Sequence, residues 1–223
     1  MSAREAILSR IRTSLAVRPD DDERMSHVET RLRETPSGVI PARGQLEAGA
    51  RVAIFRAMAE KVQTSVVHVE TIDDVPAAVA AYLREKNLPA KIRIGADADL
   101  AGAPWQQEAT LEIRKGASQG DDLVAVSHAM GAVAETGTLV LASGPDNPTT
   151  LNFLPEHHIV VIETSKIDGD LETALKRVRR HYGKGNMPRA VNMVTGPSRS
   201  GDIEQTILLG AHGPRALHVV MVG

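Results

Sequence analysis

Apolar positions along the chain switch repeatedly between helical and strand-like spacing. Ile7, Leu8, Ile11 and Leu15 recur at helical intervals, which predicts an amphipathic helix over 2–15. The acidic run at 20–23, preceded by Pro19, breaks that pattern and reads as a solvated linker. Residues 24–44 are polar and carry Pro36, Gly38 and Pro41, which predicts an extended arm of the kind that docks on a partner subunit. From Gln45 onward, Leu46, Ala50, Ile54, Ala57, Met58 and Val62 again recur at helical spacing, predicting a helix over 45–63. Strands are predicted at 65–69, 91–94, 109–113 and 123–126. Between the first two lies a helix opened by Asp73, Asp74 and Pro76, with its acids where the helix dipole favours them.

The stretch 127–163 holds the strongest strand signals. Residues 138–143 and 159–162 are short, apolar and rich in β-branched side chains, as strands covered on both faces are. Residues 144–150 between them, Gly-Pro-Asp-Asn-Pro-Thr-Thr, read as a turn. A helix follows over 170–182, with Leu171, Leu175 and Val178 inward and Lys176, Arg177, Arg179 and Arg180 mostly outward on a solvated face. Strands at 190–194 and 217–222 complete the pattern. Strands alternating with helices predict an α/β fold, a mainly parallel sheet layered by helices. The expected organisation is an N-terminal helix and extended arm over 1–44 and an α/β domain over 45–223.

Composition narrows the function classes. The chain is 42% hydrophobic but only 2% aromatic, so its core is aliphatic and it lacks the rings on which single-stranded bases stack. A net charge of -2 supplies no basic field for nucleic acid or an acidic membrane. With no cysteine, the chain holds no disulfide, no thiol nucleophile and no cluster bound through thiolates. The start lacks a signal-type apolar segment, and no apolar run approaches the roughly 20 residues of a membrane span. A cytoplasmic protein is the expectation.

Two stretches carry candidate chemistry. Glu135 stands among small residues in Ala134-Glu135-Thr136-Gly137-Thr138, where backbone comes close to a ligand, with Gly137 and Thr138 as binding candidates. Glu135 is either a general base or nucleophile, or a carboxylate that accepts from backbone N–H groups and holds its turn. The loop 196–202 is expected to leave a strand and enter a helix, a junction whose free N–H groups bind anions. Gly196, Ser198, Arg199, Ser200 and Asp202 are its candidates, with Arg199 as a bidentate contact to phosphate or carboxylate. The alternative is that Ser200 or Asp202 caps the helix and Arg199 pairs with an acid.

Other motifs are missing. His157 and His158 are adjacent on a strand and point to opposite faces. His128, His212 and His218 are scattered, so no metal site is expected. The sequence contains no Walker A motif, no GxGxxG and no GxSxG elbow.

Four motifs in order then carry a family resemblance. They are 134–141, Leu154-Pro155 ahead of His158-Ile159, 195–204, and 210–214 with Leu217-His218-Val219. Together, over roughly residues 50–223, they closely resemble the LUD-domain family. The resemblance implies a fold similar to the ribose-5-phosphate isomerase, CoA-transferase and 5-formyltetrahydrofolate cyclo-ligase group. It also implies a role in oxidising L-lactate to pyruvate beside two partner proteins that carry iron–sulfur clusters. The absence of cysteine fits a non-redox subunit that binds a small anion or supports those partners. Residues 148–153 depart from many relatives, which carry an Arg there, so Arg199 is the remaining candidate to read a carboxylate. Two other readings stand beside this one. One is an independent enzyme of the CoA-transferase or cyclo-ligase type. The other is an assembly module whose segment 2–41 contacts partners.

Overall fold

The computed structural model of the protein describes residues 2–16, 18, 20–203 and 206–223, without the side chains of 202, 203, 206 and 207. It divides into two compact units, Met1–Val39 and Ile40–Gly223. In the first, helix α1 spans Ala3–Ser14, and Ser2 and Glu5 form a reciprocal capping box at its start. Helix α2 spans Asp22–Glu34. This corrects the extended arm expected from residue 24. Asp21 accepts from the Arg24 N–H, and Asp22 and Glu23 occupy the first turn, so the acidic run is a helix start. Thr35, in the left-handed region at φ 45°, ends the helix ahead of Pro36.

The second unit begins with α3 (Ala48–Lys61), then β1 (Ser65–Val69), α4 (Val75–Glu85), β2 (Lys91–Ile94), α5 (Ala98–Gly102), β3 (Glu112–Lys115) and β4 (Val124–His128). Strands β5 (Gly131–Val133) and β6 (Thr138–Ala142) form a hairpin, followed by α6 (Thr149–Phe153) and β7 (His157–Glu163). The chain continues through β8 (Ile167–Asp168), α7 (Leu171–Tyr182), β9 (Val191–Val194), β10 (Arg199–Ile203), β11 (Thr206–Leu209) and β12 (Ala216–Val222). The expected turn at 144–150 thus contains the start of α6.

The main sheet has six strands in the order β1-β12-β7-β4-β2-β3, and every pairing in it is parallel. The α/β architecture with a mainly parallel sheet is therefore as the sequence predicts. A second, four-stranded sheet runs β8-β5-β6-β9, and β10 and β11 form an antiparallel pair. Side-chain alternation explains the near-continuous apolar runs. Val124, Val126, Ile159 and Val161 face one way, into a core with Val75, Val79 and Leu83 of α4. Val160 and Ile162 face the other way, into a core with Phe55 of α3 and Leu139 and Leu141 of the second sheet. The far side of that sheet, through Val133 and Val140, packs on Ala174 and Val178 of α7. Phe55 is fully buried, so truncating it to alanine is expected to cost about 3–5 kcal/mol. Among the described residues, no helix is long and apolar enough to cross a membrane.

Candidate functional site

The motif residues converge on α3 and on the neighbouring ends of β7, β9 and β12. Gly137 closes the β5–β6 hairpin at φ 66°, and a Cβ there would sit 2.5 Å from the Ala59 nitrogen of α3. Gly196 does the same after β9. Its φ is 75°, and a Cβ would lie 2.7 Å from the Val62 carbonyl oxygen. Only glycine lets both turns approach the helix end so closely. The Thr138 hydroxyl bonds those of Thr136 and Thr195, each at 2.7 Å, and so ties the two motifs together.

The helix expected after Gly196 does not form. Residues Arg199–Ile203 are strand β10, paired with β11, and Ser200 stands opposite Leu208. An anion site built on a helix N-terminus is therefore absent from this loop. Among the described residues Arg199 has no acid partner: its Nη2 donates to the Val62 carbonyl (2.6 Å) and to Gln63 Oε1 (3.0 Å), capping the end of α3. Ser198 is held by its backbone, donating to Pro214 O (2.8 Å) and accepting from Gly210 N (3.0 Å). The Asp202 side chain lies outside the described residues.

Glu135 is buried in the hairpin turn. Its Oε2 lies 3.5 Å from Arg43 Nε, an ion-pair distance, but makes no hydrogen bond. Its backbone N–H donates to Gly169 O at 3.3 Å.

A cavity of about 280 Å³ opens where the last two motifs meet, lined by Gly196, Ser198 and Arg199 from one and His212 and Gly213 from the other. His158 and Asn152 line it as well. Ser127 Oγ donates its single proton to Asn152 Oδ1 (3.2 Å), so it accepts from His158 Nε2 (3.0 Å). The opposite ring nitrogen, Nδ1, is then an unprotonated acceptor. Both it and Asn152 Nδ2 are buried without a partner. Burial holds the His158 ring neutral, its pKa pushed down to about 3. His158 and Asn152 both line the cavity, and each carries one buried polar atom without a partner, an acceptor on the first and a donor on the second. Each unsatisfied atom costs about 1–3 kcal/mol that a ligand can recover. Glu135 is not among the residues lining it.

Sequence reasoning singled out Gly196, Ser198 and Arg199 but missed His158, Asn152 and Ser127. His158 was legible only as a strand residue, and Asn152 sits in α6, just past the turn predicted at 144–150, where no element is predicted. Their linkage spans 25 and 31 positions, beyond any local spacing rule.

A second polar cluster stands at the carboxyl ends of the main-sheet strands. His128, the last residue of β4, places Nδ1 3.0 Å from Asp97 Oδ1 and Nε2 2.9 Å from Glu163 Oε2. Burial alone pushes the His128 pKa down, but the two carboxylate contacts prevail and raise it to about 9. Burial likewise opposes ionisation of Glu163, yet hydrogen bonds from His128 and Lys166 bring its pKa down to about 2. Acids and histidines that follow parallel strands are the sequence signal for such an edge.

Comparison with known proteins agrees with this architecture. A crystal structure of a DUF162 family protein from Deinococcus radiodurans superposes with a TM-score of 0.61 at 21% identity, covering 80% of this chain and 99% of that one. This likeness concerns the fold. An uncharacterized protein of Neisseria meningitidis serogroup B is 36% identical over 96 residues, 43% of this chain and 40% of that protein. Lactate utilization protein C of Geobacillus sp. (strain WCH70) is 38% identical over 91 residues, 40% of this chain. The chain covers 38% of that relative's length. The LUD domain family model matches residues 52–222, which begin within α3 and take in every described strand, both glycine turns and the residues lining the His158 cavity. The chain belongs to the LUD domain family.

Proposed function

We propose that this protein serves lactate utilisation as a subunit without redox chemistry of its own, holding a small hydroxy or oxo acid in the His158–Asn152 cavity. Iron–sulfur partner proteins carry out the oxidation of L-lactate to pyruvate. The observation that carries this reading is the shared sequence with relatives named lactate utilization protein C, together with the LUD domain across 52–222. The chain has no cysteine, so the electron-carrying clusters belong on other proteins. Cavity chemistry is consistent with the assignment. A hydroxyl donates to His158 Nδ1, while a carboxylate or carbonyl oxygen accepts from Asn152 Nδ2. The volume, at the small end of ligand pockets, favours a compact acid over a nucleotide or coenzyme A.

Deletion of the gene is expected to abolish growth on L-lactate and leave growth on pyruvate intact. Undiminished growth on lactate would overturn the reading. The cavity is tested separately by thermal denaturation of the purified chain with lactate or pyruvate. At a hundredfold excess over Kd, a bound ligand stabilises by about 2.7 kcal/mol, and Asn152→Leu is expected to remove that shift.

A second reading, an independent enzyme of the CoA-transferase or cyclo-ligase type, is favoured by the buried Glu135 Oε2 that lacks a hydrogen bond. It requires Glu135→Gln to abolish turnover on a phosphate- or carboxylate-bearing substrate.

A further inference from the structure

The carboxyl edge of the main sheet holds a cluster that the His158 cavity does not use. Asp97 follows β2, Asp99 lies in the first turn of α5, and His128 ends β4. One ligand atom from each lies within 4.8 Å of the others. His128 Nδ1 is 3.0 Å from Asp97 Oδ1 and 3.7 Å from Asp99 Oδ2. Among the described residues, no lysine or arginine forms an ion pair with either aspartate, and His128 is their shared partner. By contrast, the neighbouring acids are matched: Glu163 pairs with Lys166 at 2.7 Å and Asp168 with Arg177 at 2.7 Å.

A separate observation points to a ligand here. Asn147 is 6% exposed and lines the same cavity as the three residues, a space of about 290 Å³. Its Nδ2 donates to the Ala142 carbonyl (3.3 Å), which fixes the amide orientation. Its Oδ1 is buried and has no partner. The loops bearing these groups are locked together, because Ala96 N donates to Pro145 O (3.3 Å). Gly95 also packs so tightly that a Cβ would lie 1.9 Å from the Asp146 carbonyl oxygen.

We propose that Asp97, Asp99, His128 and the Asn147 amide oxygen form a divalent-cation site at the carboxyl edge of the parallel sheet. Two carboxylates, one imidazole and one carbonyl oxygen, with no thiolate, suit Mn²⁺ or Zn²⁺. The cation replaces the proton on His128 Nδ1, and that proton leaves to solvent. Glu163, accepting from His128 Nε2 at 2.9 Å, orients the ring from the far side as carboxylates do behind metal-bound histidines. The remaining coordination positions face the cavity, where a bound cation presents a Lewis acid to an anionic group.

The test titrates Mn²⁺ into the chelator-stripped full chain, read by calorimetry and by electron paramagnetic resonance with ¹⁴N modulation. One Mn²⁺ per chain with an imidazole nitrogen signature is expected. Asp99 is mostly exposed, and no hydrogen bond of α5 depends on its carboxylate, so Asp99→Asn keeps the fold while weakening binding at least tenfold. Glu163→Gln is expected to weaken it by about 10–100-fold, and His128→Gln to remove the nitrogen signature. Failure of both Mn²⁺ and Zn²⁺ to bind would overturn the proposal. So would binding unchanged in Asp99→Asn, or Mn²⁺ that shows oxygen ligands alone. None of these outcomes bears on growth on lactate, so the two proposals stand or fall separately.

Discussion

Gly137→Ala is expected to destabilise the protein by about 2–5 kcal/mol in denaturant unfolding, with the slope against denaturant unchanged. Two effects add. The residue sits at φ 66°, where a side chain costs about 1–2 kcal/mol. The new methyl would also lie 2.5 Å from Ala59 N and 2.7 Å from Met58 C. Those are backbone atoms of α3, so relief requires the helix to move, and overpacking of this kind costs about 1–3 kcal/mol. Helix α3 carries Phe55 into the core, so its displacement is felt between the two sheets. Gly49→Ala is the matched control. It lies in the same helix with nothing within 4 Å, and alanine there is expected to stabilise by about 0.5–1 kcal/mol. A Gly137→Ala loss below about 1 kcal/mol would show that the hairpin does not pin α3.

The same residue shows what the sequence could and could not disclose. A glycine in a Glu-Thr-Gly-Thr turn marks close approach, but does not say whether a ligand or a helix comes near; here it is α3. Strand positions were legible because β4, β7 and β12 are covered on both faces and must be apolar throughout. The antiparallel pair β10–β11 was not, since Ser-Arg-Ser-Gly-Asp lacks apolar alternation and copies the composition of a helix cap. Helix α2 was hidden for a related reason: its apolar residues Met25, Val28 and Leu32 are few and all exposed. The cluster around His128 depends on parallel strand order, which brings residues 97, 128 and 163 to one edge. No local spacing encodes that.

Chelator-treated protein is expected to lose stability steeply as pH falls from about 6.5 towards 4.5. His158 and His218 are both buried as neutral rings, with pKa values pushed by burial down to about 3 and about 4. At His218, Glu85 acts against that shift and Lys86 with it, and burial prevails. The unfolded chain protonates both near 6.5, so in this window it binds more protons than the native state. Their stabilisation is therefore complete above 6.5 and lost as pH falls through the window. Each ring's slope grows towards about 1.4 kcal/mol per pH unit below 6.5, and together they remove about 4–5 kcal/mol over the two units. That is a large share of the roughly 5–15 kcal/mol that holds a domain folded. His128 is protonated in both states here and adds little slope. His218 stacks on Tyr82 at 4.4 Å between ring centres, and His218→Phe keeps that stack while halving the slope. Equal stability at pH 6.5 and 4.5 would refute the argument.

Strand order also governs how this protein is made. Ser65 of β1 pairs beside His218 of β12, 153 positions later, and β12 lies between β1 and β7. During synthesis, β1 has no neighbour in its sheet until β12 has left the ribosome. At about 5–20 residues per second, that interval is on the order of ten seconds or more. For that time the Val66, Val67 and Val69 edge is an open template on which other nascent chains can pair.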